Sequence, residues 1–171
     1  MKKTLLGLAM ATLFMAGAVQ AEDHSATIDI SGSVTGDKTE CTVYADSTVV
    51  LNGKADELLS QDMSATAPTA LNYSIGENSG QCIGKIALQL HGTADDVHGN
   101  VLANTETGEI AAKGVGIGVF NADNSVLNIN DNQIVPYSNV GQIKLQLVKL
   151  SNATVVEGAV HASLTMDIVR L

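Results

Sequence analysis

Val160-His-Ala-Ser-Leu-Thr-Met-Asp-Ile168 alternates apolar and polar side chains at every step. A β-strand points successive side chains to opposite faces, so Val160, Ala162, Leu164, Met166 and Ile168 fall on one face. Near the other end of the sequence, Ala26-Thr-Ile-Asp-Ile-Ser-Gly-Ser-Val34 alternates in the same way. Strand edges present unpaired N–H and C=O groups, which many proteins blunt with Pro or Lys. Neither stretch contains Pro or Lys, so both are expected to pair with something.

Strand patterns also fill the sequence between them. Val43 and then Val49, Val50 and Leu51 are expected to belong to one strand, closed by the turn signal Asn52-Gly53. Leu71, Tyr73 and Ile75 alternate, as do Ile86, Leu88 and Leu90, then Val115, Ile117 and Val119, then Ile143, Leu145 and Leu147. Asn121 to Asn124 is expected to turn the chain into a strand at residues 126–129. Residues 54–64 are expected to hold a short helix, and the Ser/Thr/Ala-rich residues 60–70 resemble a linker too short to divide the chain. Some seven short strands with turns between them predict an antiparallel β-sandwich, each strand apolar on one side and polar on the other. With so few aromatic residues, 3% of the chain, Ile, Leu, Val and Ala must fill the core.

Residues 1–21 read as a secretory signal peptide. Lys2 and Lys3 precede a mostly apolar run from Leu5 to Val19, and Val19-Gln20-Ala21 supplies small residues at a cleavage site. The run is short for the roughly 20 residues that span a bilayer, so a cleaved, exported chain is expected. Removing 21 of 171 residues leaves 150, enough for one domain with one core. The leader carries two of the nine basic residues and none of the eighteen acidic ones, so the mature net charge is 7 − 18 = −11. A surface that acidic argues against nucleic acid or an anionic membrane as a partner. Cys41 and Cys82 are the only cysteines. Export to an oxidising compartment predicts a disulfide between them, since a redox or metal pair more often has C-x-x-C spacing.

No catalytic constellation stands out. G-x-S-x-G and H-E-x-x-H are both absent, and His24, His91, His98 and His161 are dispersed. Asp95, Asp96 and His98 form one polar cluster, which reads as a surface turn before it reads as a calcium or zinc site. Gly114-Val-Gly-Ile-Gly118 lacks a following helix, so its small residues point to close backbone approach within a strand rather than to phosphate binding. An enzyme is not expected, and neither is a cofactor or a metal.

Several stretches in order resemble the pilins of the chaperone–usher (type 1-like) fimbriae. They are residues 26–34 followed by Cys41, Cys82 ahead of a strand ending in His91-Gly-Thr-Ala-Asp95, then Gly114-Val-Gly-Ile-Gly-Val-Phe120. Gly158-Ala-Val-His-Ala162, leading into the last alternating stretch, completes the set. The resemblance covers essentially all of the chain after the leader. It implies an all-β, incomplete immunoglobulin-like sandwich that lacks its last strand and carries an N-terminal donor-strand extension. The implied organisation is a signal peptide at residues 1–21, the extension at 22–36 and a pilin domain at 37–171.

In that family a neighbour's extension fills the groove left by the missing strand, a form of β-strand addition. Carried over, Ala26, Ile28, Ile30, Gly32 and Val34 are the donor positions, with Gly32 where the family keeps a glycine against the acceptor core. Val160, Ala162, Leu164, Met166 and Ile168 line the acceptor groove. The implied partners are neighbouring subunits, a periplasmic chaperone and an outer-membrane usher, and the implied location is a cell-surface fimbrium. The family's penultimate residue is usually aromatic, and here it is Arg170, which implies an altered chaperone contact. A tip adhesin would need a separate lectin domain, so a shaft or minor subunit is expected. Two other readings compete: a free-standing secreted β-sandwich that binds a carbohydrate or protein ligand, and a periplasmic metal-binding protein using the Asp95–His98 loop.

Overall fold

A computed structural model describes residues 40–76, 79–95 and 100–171. Its elements run β1 (Val43–Ala45), β2 (Leu59–Ser60), β3 (Thr69–Ile75), α1 (Ser79–Cys82), β4 (Ile86–Gly92) and β5 (Val101–Ala103). Then follow β6 (Val115–Phe120), β7 (Gln133–Ile134), β8 (Val140–Lys149) and β9 (Leu164–Arg170). One sheet has the order β1-β3-β8-β6-β5, with β2 added to β8, and the other has the order β7-β4-β9. Pairing is antiparallel throughout except at β2, which runs parallel to the end of β8.

The alternating residues of β3, β4, β6, β8 and β9 form strands because each buries one face between the sheets, while residues 160–163 ahead of β9 stay outside the strand. Tyr73 and Ile75 from β3, Ile86, Leu88 and Leu90 from β4, Val119 from β6 and Ile143 and Leu145 from β8 join in one buried cluster. A fully buried aliphatic side chain contributes roughly 1.5–3 kcal/mol, so this shared face dominates the stability of the sandwich. The disulfide between Cys41 and Cys82 is present and ties the entry to β1 to the end of α1. Asn124, at the turn expected from the sequence, takes a left-handed backbone with φ 70°, which Asn tolerates better than most residues.

After Gly92 the chain leaves one sheet and joins the other, because Ala103 N–H donates to Thr93 O and Asp95 N–H to Val101 O. The side chain of Asn130 holds the crossing on both sides, accepting from Gly92 N–H at 3.1 Å and donating to Gly92 O at 3.0 Å.

Some expectations fail for identifiable reasons. Residues 54–64 form no helix: a tight turn at 54–57, closed by Glu57 N–H on Lys54 O, leads straight into β2. Val49 and Leu51 do face the core, but residues 49–51 pair with no described strand and Val50 is exposed. Residues 126–129 form no regular strand, bonding to β6 through a bridge at Val126 and Leu127 N–H on Val119 O while Asn128 bonds Asn132, yet Leu127 and Ile129 are buried.

The rule of one apolar side per strand also breaks. A second core of Ala65, Val101, Phe120 and Val148 lies on the outer face of the larger sheet. Gly116 and Gly118 make room for it, since a Cβ on Gly118 would stand 2.7 Å from the Phe120 ring. The linker-like stretch is its lid, held by Gln146 Oε1 accepting from Thr66 and Ala67 N–H at 3.1 and 3.2 Å.

Candidate functional site

β9 pairs with β4 along its whole length, from Ile86 opposite Arg170 to Gly92 opposite Leu164. Among the described residues no strand takes its other edge. The consequence shows in burial. Ile86, Leu88 and Leu90 on β4 are at most 1% exposed, whereas Leu164, Met166 and Ile168, facing the same core from β9, are only half-buried. Val160 and Ala162 continue the same face and are half-buried too, while His161, Ser163, Thr165 and Asp167 point to solvent. The structure therefore brings all five acceptor-groove residues expected from the sequence onto one partly open face.

The opening widens at residues 160–164 into a cleft of about 400 Å3. Leu71, Ile117, Leu145 and Leu147 line its floor, and Val49 and Leu51 line one wall. Ile117 is half-buried although it lies in the middle of a sheet, because nothing in the described chain closes the cleft above it. The lining combines this aliphatic surface with a polar rim of Asp46, Ser47, Thr48, His161 and Ser163. A strand laid there would meet the β9 edge that no described strand takes and half-buried aliphatic side chains beside it, the two things β-strand addition uses.

One side chain that positions this wall was not singled out from the sequence. Asn104 donates to Ala112 O at 3.0 Å and Ala159 O at 3.1 Å, and its Oδ1 accepts from His161 N–H at 3.0 Å. Thr105 adds its N–H and hydroxyl to His161 O at 2.8 and 2.9 Å. Together they fix the main chain just before β9, so Val160 and Ala162 stay in register with Leu164. The one sequence signal of Asn104 is that it is an Asn among turn residues, which is too common to read in advance.

The donor positions Ala26, Ile28, Ile30, Gly32 and Val34, like the whole of residues 1–39, lie outside the described residues. Asp96 and His98 do as well. Among the described residues no group of His, Cys, Asp or Glu has the geometry to hold a metal ion. His91 and Asp167 approach to 3.6 Å on the outward face of β4 and β9, with both side chains largely exposed. Arg170 shares the core-facing side of β9 with Ile168 but sits at its exposed end.

The sequence model of the fimbrial protein family matches residues 28–169, a span that includes residues 160–168 and all but the first two residues of 26–34. The chain belongs to the fimbrial protein family. Solved pilus structures share the fold of this fimbrial chain. The crystal structure of the P pilus rod subunit PapA covers 84% of this chain with 100% of its own, at 14% identity and a TM-score of 0.53. A chaperone–usher pilus structure that addresses rod uncoiling covers 88% of it with 98% of its own, at 18% identity and a TM-score of 0.56. No curated protein sequence matches the chain. The immunoglobulin-like sandwich of pilus subunits is thus the fold of this protein, and membership of a fimbrial family favours a structural pilus subunit over a free-standing binding module.

Proposed function

We propose that this fimbrial protein is a donor–acceptor building block of a surface fibre. A neighbour's residues 26–34 enter the groove beside β9, and this chain's own residues 26–34 enter the next groove. The carrying observation is β9 itself, whose core-facing Leu164, Met166 and Ile168 remain half-buried beside an edge that no described strand takes. On this reading Ala26, Ile28, Ile30 and Val34 fill the groove and Gly32 passes where a side chain would strike the acceptor core. The role is structural rather than catalytic. Residues 1–21 act as the export signal, residues 22–36 as the extension and residues 37–171 as the pilin domain. A periplasmic chaperone and an outer-membrane usher handle the subunit before it reaches the cell surface.

The test is a thermal melt of the subunit after removal of residues 1–21, with and without a peptide of residues 25–34. A large rise in melting temperature is expected. A stable subunit indifferent to the peptide would overturn the reading and leave the free-standing sandwich in its place.

A further inference from the structure

Tyr44, Ser74 and Val140 lie side by side on one rung of the larger sheet, Tyr44 opposite Ser74 and Ser74 opposite Val140. All three point away from the core, and Tyr44 is 62% and Val140 61% exposed. Three residues before Val140, Tyr137 is 93% exposed. Two tyrosines and a valine thus stand in water, and Tyr44 and Val140 border a shallow groove of about 620 Å3. Asp46, the acid beside that groove, already accepts from Asn72 N–H at 2.9 Å and its Nδ2 at 3.0 Å. The surface left for a partner is apolar and aromatic, the composition of an interface centre.

We infer that this patch packs against the adjacent copy of this chain in the fibre. The inference rests on the donor-strand reading above. The decisive point is where the remaining chain is rooted. The disulfide anchors Cys41 two residues before β1, and Gly76 N–H bonds Thr42 O at 2.8 Å, so the root of the extension sits at the patch's own end of the sheet. Val34 and Cys41 are separated only by residues 35–40, a link that spans at most about 25 Å when fully extended. The copy that holds residues 26–34 is therefore kept close to Tyr44, Val140 and Tyr137.

Size supports the same assignment. Specific interfaces between free proteins bury about 1,200–2,000 Å2, far more than three side chains supply. A short tether raises the local concentration to the order of millimolar, so contacts too weak to hold free subunits together become occupied within the fibre. Their effect is mechanical: they stop adjacent subunits from swivelling about the link.

The test uses fibres sheared from cells expressing the full chain, unaltered or as Tyr44→Ser with Val140→Lys. Both positions are exposed, so the sandwich and its peptide-induced rise in melting temperature are expected to be unchanged. The variant should still assemble, but the persistence length of its fibres should fall severalfold in electron micrographs. A second measurement uses the absence of Trp from the chain. In Tyr137→Trp the single indole should shift to the blue and lose quencher access on assembly. Variant fibres of unaltered stiffness, or an indole equally exposed in subunit and fibre, would overturn this surface while leaving the donor strand standing. Failure of the unaltered chain to assemble would overturn both.

Discussion

Single residues show how little slack the sandwich has. Gly118 faces the outer core, where an added Cβ would meet Phe120 at 2.7 Å and Val148 at 3.0 Å. Phe120 and Val148 are fully buried and have nowhere to retreat. Gly118→Ala should therefore destabilise the peptide-bound subunit by about 1–3 kcal/mol, the usual cost of overpacking, read from its denaturant midpoint. An unchanged midpoint would mean the outer core is looser than its contacts imply. Tyr73 makes a different point. Burial raises its phenol above the ordinary range, because the phenolate is disfavoured away from water. The folded chain then holds that proton to higher pH than the unfolded chain does. Its contribution is intact below the unfolded pKa of about 10 and is lost as pH rises through the folded value. Alkaline melts should show a drop in stability above pH ~10 that Tyr73→Phe, which cannot ionise, lessens.

Elements separate what the sequence made legible from what it hid. β3, β4, β6, β8 and β9 follow from alternation because each has one face in the core. The half-buried row from Val160 to Ile168 was legible for the same reason, since a groove wall and a core strand share one pattern. Residues 54–64 misled because charged Asp56 and Glu57 ahead of Leu58 and Leu59 imitate the first turn of a helix. Those leucines instead serve tertiary contacts that propensity does not register: Leu58 packs near Gly53, and Leu59 against the outer core. The outer core itself was hidden because its space comes from missing side chains at Gly116 and Gly118, and its lid is a stretch that looks like linker. The disulfide was legible from the expected export and the cysteine count. It closes a loop with a separation of 41 residues, which in the chain-entropy model is worth about 4 kcal/mol. Reduction, or paired Cys41→Ser and Cys82→Ser, should lower the stability of the peptide-bound subunit by about that amount in denaturant titrations. A negligible change would mean that β1 and α1 stay together without it.

At the scale of the whole molecule, the proposed function makes the β9 edge that no described strand takes and the alternating residues 26–34 two halves of one strand pairing, carried by different copies. Head-to-tail contacts whose rotation does not close into a ring generate a filament rather than a dimer. Ile28, Ile30 and Val34 could each add roughly 1.5–3 kcal/mol when buried in the neighbour, with main-chain bonds along β9 besides. A chain lacking residues 22–34 keeps its groove and loses its donor. It should still show the peptide-induced rise in melting temperature, which establishes that it folds and accepts. Within a fibre it can occupy only an end, because every interior subunit must both give and receive a strand. Co-expressed with the full chain, it should therefore raise the number of ends per subunit. The mean fibre length in electron micrographs should fall roughly in inverse proportion to its share of the mixture. Fibres of unaltered length that contain the shortened chain along their shafts would mean that subunits are joined by some surface other than residues 26–34, and the donor assignment would have to be abandoned.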